Sequence, residues 1–164
     1  MQNNRQLLTL SEVKNKFTKG PISGIFTDGS CTGNPGPGGW GLVYVKDDEI
    51  IDEKFGFDDD TTNNRMEITA VMEALKLVQT ETKLSLFTDS QLVVNTFMTW
   101  AANWEKLGWV RKTGPIKNLD LVQNTYKLIK KLPDVELQWI PAHSGYKWNE
   151  YADALSTAYL RDEL

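Results

Sequence analysis

Two apolar segments of this chain end in the same tripeptide, Ile25-Phe26-Thr27-Asp28 and Leu86-Phe87-Thr88-Asp89, so each is expected to deliver an aspartate where a strand stops. Residues at the carboxyl ends of parallel strands collect around the crevice where ligands bind. If the two strands are neighbours, Asp28 and Asp89 face one another. Clustered carboxylates repel unless they share a proton or hold a cation, so the simplest use of the pair is to bind a divalent metal.

The 164 residues suffice for one domain that buries a core of its own. A single cysteine, Cys31, excludes an internal disulfide and suits a reducing compartment, and a single histidine, His143, excludes multi-histidine metal sites. The first twenty residues carry Arg5, Lys14, Lys16 and Lys19, and their apolar runs are too short for a signal peptide or a membrane span. A cytoplasmic, monomeric protein without membrane contact is expected. The net charge of −4 argues against indiscriminate nucleic-acid binding, but its distribution is uneven. Residues 47–60 hold eight acidic side chains against Lys54, whereas residues 105–131 hold seven basic ones against Glu105 and Asp120. A basic run of this kind is a solvated helix face or a surface for a polyanion.

Residues 1–20 read as an extension, flexible apart from a short helix after the capping-box spacing Thr9-Leu10-Ser11-Glu12. A buried strand is expected over 22–28, and Gly29 through Gly39 reads as a turn or loop. Strands at 40–46 and 50–57 complete a three-stranded meander. Thr61-Thr62-Asn63-Asn64 supplies N-cap chemistry for a largely buried helix from about Arg65 to Val78. After it come a strand at 84–89, a helical region from Gln91 to Trp104, a loop over 108–115, a helix over 119–131, a strand at 135–140 and a closing helix from about Trp148. The order βββαβααβα indicates an α/β domain with a mixed sheet.

Gly36-Pro37-Gly38-Gly39-Trp40-Gly41 fits the dinucleotide-binding pattern letter by letter, but a strand succeeds it where that fingerprint needs a helix. Glu67 lies early in a mostly apolar helix, where a charge requires a partner or the favourable helix dipole. Asp153 lies one turn from Asn149 in the last helix, and His143 occupies the polar loop Pro141-Ala142-His143-Ser144-Gly145.

Together, Thr27-Asp28-Gly29-Ser30, Gly33 through Gly39, Thr62-Asn63-Asn64-Arg65-Met66-Glu67, Thr88-Asp89-Ser90-Gln91 and His143 through Asn149-Glu150 to Asp153 closely resemble type 1 ribonuclease H, in motif order and spacing, from about residue 22 to 160. The resemblance implies a ribonuclease H-like fold, a five-stranded mixed sheet flanked by helices, with residues 21–164 as the catalytic domain. It implies hydrolysis of the RNA strand of RNA·DNA hybrids, giving 5′-phosphate and 3′-hydroxyl ends. Asp28, Glu67, Asp89 and Asp153 are then the acidic tetrad for two Mg2+ ions, with Mn2+ as a substitute, and His143 is a mobile histidine for proton handling or product release. Asn34, Asn64 and Gln91 are implied readers of RNA 2′-hydroxyls, with Cys31 beside them. Thr62, Asn63 and the segment from Trp100 to Asn118 are implied to hold the DNA strand, Trp104 and Trp109 against sugars and Lys106, Arg111, Lys112 and Lys117 at phosphates. Glu105 and Leu107 make this segment less basic than in some relatives. The rival of another class is a noncatalytic hybrid-binding module, which usually has lost a carboxylate.

Overall fold

The computed structural model describes residues 7–164 and has one five-stranded sheet in the order β3-β2-β1-β4-β5. Its strands are β1 (Gly24–Cys31), β2 (Gly36–Lys46), β3 (Glu49–Thr61), β4 (Leu84–Thr88) and β5 (Val135–Trp139). The first three form an antiparallel meander, and β4 and β5 add to β1 in parallel, which makes the sheet mixed as expected. Alternation along β1 explains the two cores. Ile25 points to the face covered by α2 (Asn63–Leu77) and α5 (Leu119–Lys131), with Leu42, Val71, Leu86 and Val122. Phe26 points to the other face, covered by α6 (Lys147–Ser156), with Val43, Phe87, Trp148 and Leu155.

The glycine-rich segment differs from expectation. Gly29, Ser30 and Cys31 continue β1, and Gly36 to Gly39 begin β2, paired as Gly29 with Trp40, Ser30 with Gly39 and Cys31 with Gly38. Only residues 32–35 form the connection. Gly29, Gly39 and Gly41 serve close approach of helices to the sheet, and Gly33, with φ +83°, serves the turn. A Cβ on Gly29 would lie 2.4 Å from the Glu67 amide nitrogen in α2, and one on Gly41 would lie 2.5 Å from Leu155 Cβ in α6. Asp28 is consequently inside its strand, opposite Gly41, whereas Asp89 lies just beyond the end of β4.

The region after Asp89 is helical throughout but not uniform. A short α3 (Gln91–Asn95) passes through a π-helical turn (Thr96–Trp100) into α4 (Ala101–Lys106). The acidic run at 47–60 maps largely onto β3, an edge strand, where charge deters pairing with other chains.

The extension carries the expected helix, α1 (Leu10–Lys16), capped by reciprocal bonds between Thr9 and Glu12. Residues 1–6 lie outside the described residues. The described part of the arm is packed on the domain rather than separate from it: Val13 is buried in the α6-side core and the Leu10 amide donates to the Leu164 carbonyl at 2.8 Å. Its apolar side chains supply the reason, since Val13 and Phe17 have somewhere dry to go. Among the described residues no helix is long and apolar enough to cross a membrane.

Seating α6 on the glycine track should be sensitive to one added side chain. Gly41→Val is expected to lower stability by about 1–3 kcal/mol or more, the range for overpacking, read as a lower urea midpoint. An unchanged midpoint would mean that α6 does not sit this close.

Candidate active site

The parallel register Thr27 with Thr88 sets Asp28 and Asp89 side by side, and the Thr27 hydroxyl fastens the two strands by donating to the Phe87 carbonyl at 2.8 Å. Glu67 comes from the second turn of α2, whose start is fixed by Thr62 Oγ1 accepting from the Arg65 amide at 3.2 Å. Carboxylate oxygens of Asp28, Glu67 and Asp89 lie within 4.8 Å of one another. Asp153, on α6, belongs to an adjoining group with His143 and Glu150 whose ligand atoms also lie within 4.8 Å. The four expected carboxylates therefore occupy one end of the sheet as three plus one.

This arrangement is electrostatically unfavourable by itself. Asp28 is only 4% exposed, and burial, then the charges of Glu67, Asp89 and Asp153, push its carboxyl well above the usual range. Burial and then Asp89 push Glu67 up to about 8. Burial also raises Asp89, partly opposed by a hydrogen bond from Asn149 and by nearby His143. Among the described residues, Asp28 Oδ1 accepts from the Gly29 amide at 2.8 Å, while buried Glu67 Oε2 has no hydrogen-bond partner. An orphaned buried oxygen, three convergent carboxylates and an all-oxygen donor set fit a hard divalent cation.

The other expected residues surround this end of the sheet in two groups. Asn34 is exposed in the β1–β2 connection and its Oδ1 accepts from the Asn63 amide at 2.9 Å. Asn63 and Asn64 are exposed in the first turn of α2, Gln91 is exposed at the start of α3, and half-buried Thr62 commits its hydroxyl to the α2 cap. Cys31 is half-buried, its thiol directed at the Gly36 and Thr61 carbonyls.

Farther along, Asn64, Trp100, Trp104, Arg111, Lys117 and Asn118 line a hollow of about 130 Å³. Arg111 lies over the Trp104 ring, 6.0 Å from its centre, and Arg65 donates to Asn118 Oδ1 at 3.3 Å. Lys112 is exposed outside the lining of this hollow, and Trp109 packs edge-on against Tyr126 at 6.1 Å, on the core side of the segment. His143 is exposed with φ +50°.

Two residues for which the sequence suggested no role join the site. Glu150 reaches the His143–Asp153 group, and buried Asn149 meets Asp89. The available signal was helical spacing, because 149, 150 and 153 share one side of a short helix.

Comparison with known proteins agrees with this geometry. The ribonuclease H family profile matches residues 22–161. A ribonuclease H of Alcanivorax borkumensis is 44% identical over 133 residues, covering 80% of this chain and 87% of its own. LC9-RNase H1, a type 1 enzyme with the type 2 active-site motif, superposes with a TM-score of 0.69 at 32% identity, over 85% of this chain and 73% of its own. LC11-RNase H1, solved with an RNA/DNA hybrid, superposes with a TM-score of 0.59 at 23% identity, over 84% and 98%, a likeness of fold. The chain belongs to the ribonuclease H family.

The raised carboxyls make a prediction about stability. Between the ordinary glutamate value of 4.5 and about 8, native Glu67 holds more proton than the unfolded chain does, so metal-free stability should fall as pH rises through that window. Thermal melts in chelator should show this decline, Glu67→Gln should flatten it, and Mg2+ should raise the wild-type melting temperature most at the alkaline end. A wild-type slope that Glu67→Gln leaves intact would contradict the assignment.

Proposed function

We propose that this chain is an endoribonuclease that hydrolyses the RNA strand of RNA·DNA hybrids, leaving 5′-phosphate and 3′-hydroxyl ends. The observation that carries the reading is the buried Asp28–Glu67–Asp89 cluster with Asp153 beside it, a concentration of negative charge that is stable only with protons or cations. Asp28, Glu67, Asp89 and Asp153 would hold two Mg2+ ions, or Mn2+ in their place. Such ions, when bound, supply positive charge to the attacking and leaving oxygens of an in-line displacement at phosphorus.

The protein's own groups do the rest. Asp28 and Glu67 are held from strand and helix backbones that Gly29 lets approach, which fixes their carboxylates before substrate arrives. His143, exposed on its loop beside Asp153, moves a proton or assists product release, so its loss slows turnover without abolishing it. Asn34, Asn64 and Gln91, exposed around the cluster, read 2′-hydroxyls in the shallow groove of an A-like duplex. Thr62, Asn63 and the hollow beside Trp104, Lys117 and Asn118 receive the DNA strand, with Lys112 adding charge at its edge and Trp109 supporting the segment from behind. That the similar fold of LC11-RNase H1 was solved with an RNA/DNA hybrid supports this choice of duplex. The enzyme works as a cytoplasmic monomer.

The test is cleavage of a labelled RNA·DNA hybrid in Mg2+, beside single-stranded RNA, double-stranded RNA and duplex DNA. Hybrid-only cleavage is expected, with Asp28→Asn reduced to background and still folded, and His143→Ala slowed. Binding without cleavage in both Mg2+ and Mn2+ would move the assignment to a hybrid-binding module, and cleavage of duplex DNA would move it to another kind of nuclease.

A further inference from the structure

The region matched by the family profile begins at residue 22, yet residues before it line one groove with residues of the site. An open groove of about 420 Å³ has Val13, Lys16 and Phe17 on one side and His143, Glu150 and Asp153 on the other. The arm that builds the first wall is anchored at both ends of α1. Near its start, the Leu10 amide donates to the Leu164 carbonyl at 2.8 Å and the Arg161 guanidinium donates to the Leu8 carbonyl. After its end, Lys19 pairs in parallel with Tyr146, and the Lys147 amide donates to the Lys19 carbonyl at 3.0 Å.

These contacts fall on the loop that carries His143. The loop leaves the sheet at Ile140, a buried residue whose amide donates to the Thr88 carbonyl at 2.9 Å. It re-enters structure at Tyr146–Lys147, where the holding partner is the arm. The Gly20 backbone lies against the Tyr146 ring, such that a Cβ there would be 3.0 Å from it, and Phe17 Cδ1 lies 3.8 Å from where a Gly145 Cβ would be. Phe17 is half-buried against the same core cluster as Tyr146. Between these two fixed ends, residues 142–144 are exposed.

We infer that the segment Thr9–Gly20 is a working part of the active site: through Phe17 against Gly145 and Lys19 paired to Tyr146–Lys147, it sets the pivot of the His143 loop, with Phe17 as a positioning residue. The inference rests on the proposed role of His143 for its catalytic consequence but not for its structural content. An imidazole that must reach the reacting groups and withdraw needs one fixed end from which to swing, and an ångström of slack there is enough to change rate by about 100-fold.

Because His143 is the only histidine, its ring gives a single Cε1–H NMR signal that reports the loop directly. In the full chain at one fixed pH, Phe17→Ala is expected to shift that signal and change its linewidth, and to speed amide exchange at residues 145–147. It should also lower kcat on hybrid by up to about 100-fold with KM unchanged. Phe17→Leu should return both readouts toward wild type, and Phe17→Val carries the same readouts should Phe17→Ala not fold. Combined with His143→Ala, Phe17→Ala should add nothing further, since both act through one group.

An unmoved His143 signal with unchanged exchange at 145–147 would overturn the inference, as would rate losses that multiply in the double variant. If wild type fails to cleave hybrid, or His143→Ala leaves kcat unchanged, the functional reading fails while the NMR and exchange results still decide the positioning claim.

Discussion

The structure depends on the parallel pairing of β1 with β4. Phe26 stacks on Phe87 with ring centres 4.7 Å apart, and the Thr27 hydroxyl bonds to the Phe87 carbonyl beside them. The two strands are thereby locked in a register that leaves no freedom in where Asp28 and Asp89 meet. Apolar burial on both faces of β1 overrides the mutual repulsion of the carboxylates. Ile25 and Phe26 are fully buried on opposite faces, so slipping the strand to separate the acids would take each out of the core that it fills.

The resulting site is one that the fold stabilises and the charges oppose. Gly29 lets α2 come close enough to bring Glu67 in, and Gly39 and Gly41 do the same for α6 and Asp153. Each close approach adds a carboxylate to a place already short of solvent. The raised Asp28, Glu67 and Asp89 carboxyls record that conflict, and a cation resolves it. Less demanding tasks fall to the surroundings, where exposed Asn63, Asn64 and Gln91 and the hollow beside Trp104 present polar groups over a rigid frame.

Much of this was legible in the sequence because it is written in local patterns. The repeated Phe-Thr-Asp ending announced the paired strands, the run Thr61–Asn64 announced the α2 cap, which falls on Thr62, and the helix expected over 119–131 coincides with α5. The glycine run was misread because glycine signals both turns and close packing, and only the helices that cover it, distant in sequence, decide between them. The π turn at Thr96–Trp100 carries no local signature, being one extra residue accommodated by packing. Docking of the arm depended on a dry surface formed by α6 and the carboxyl-terminal residues, more than 120 positions away. Glu150 and Asn149 were legible as neighbours on a helix, but their relation to His143 and Asp89 required the fold.

If Asp28 within β1 and Asp89 just past β4 create the cation site, Mn2+ must bind there. Paramagnetic broadening by Mn2+ in an amide NMR spectrum tests this most directly, because a bound ion bleaches the signals nearest to it. The first signals lost are expected to be those of Gly29, Glu67 and Ser90, and Asp28→Asn is expected to prevent the loss. Broadening centred on the acidic edge strand at Asp58–Asp60, or unchanged broadening in Asp28→Asn, would place the cation elsewhere and contradict the assignment.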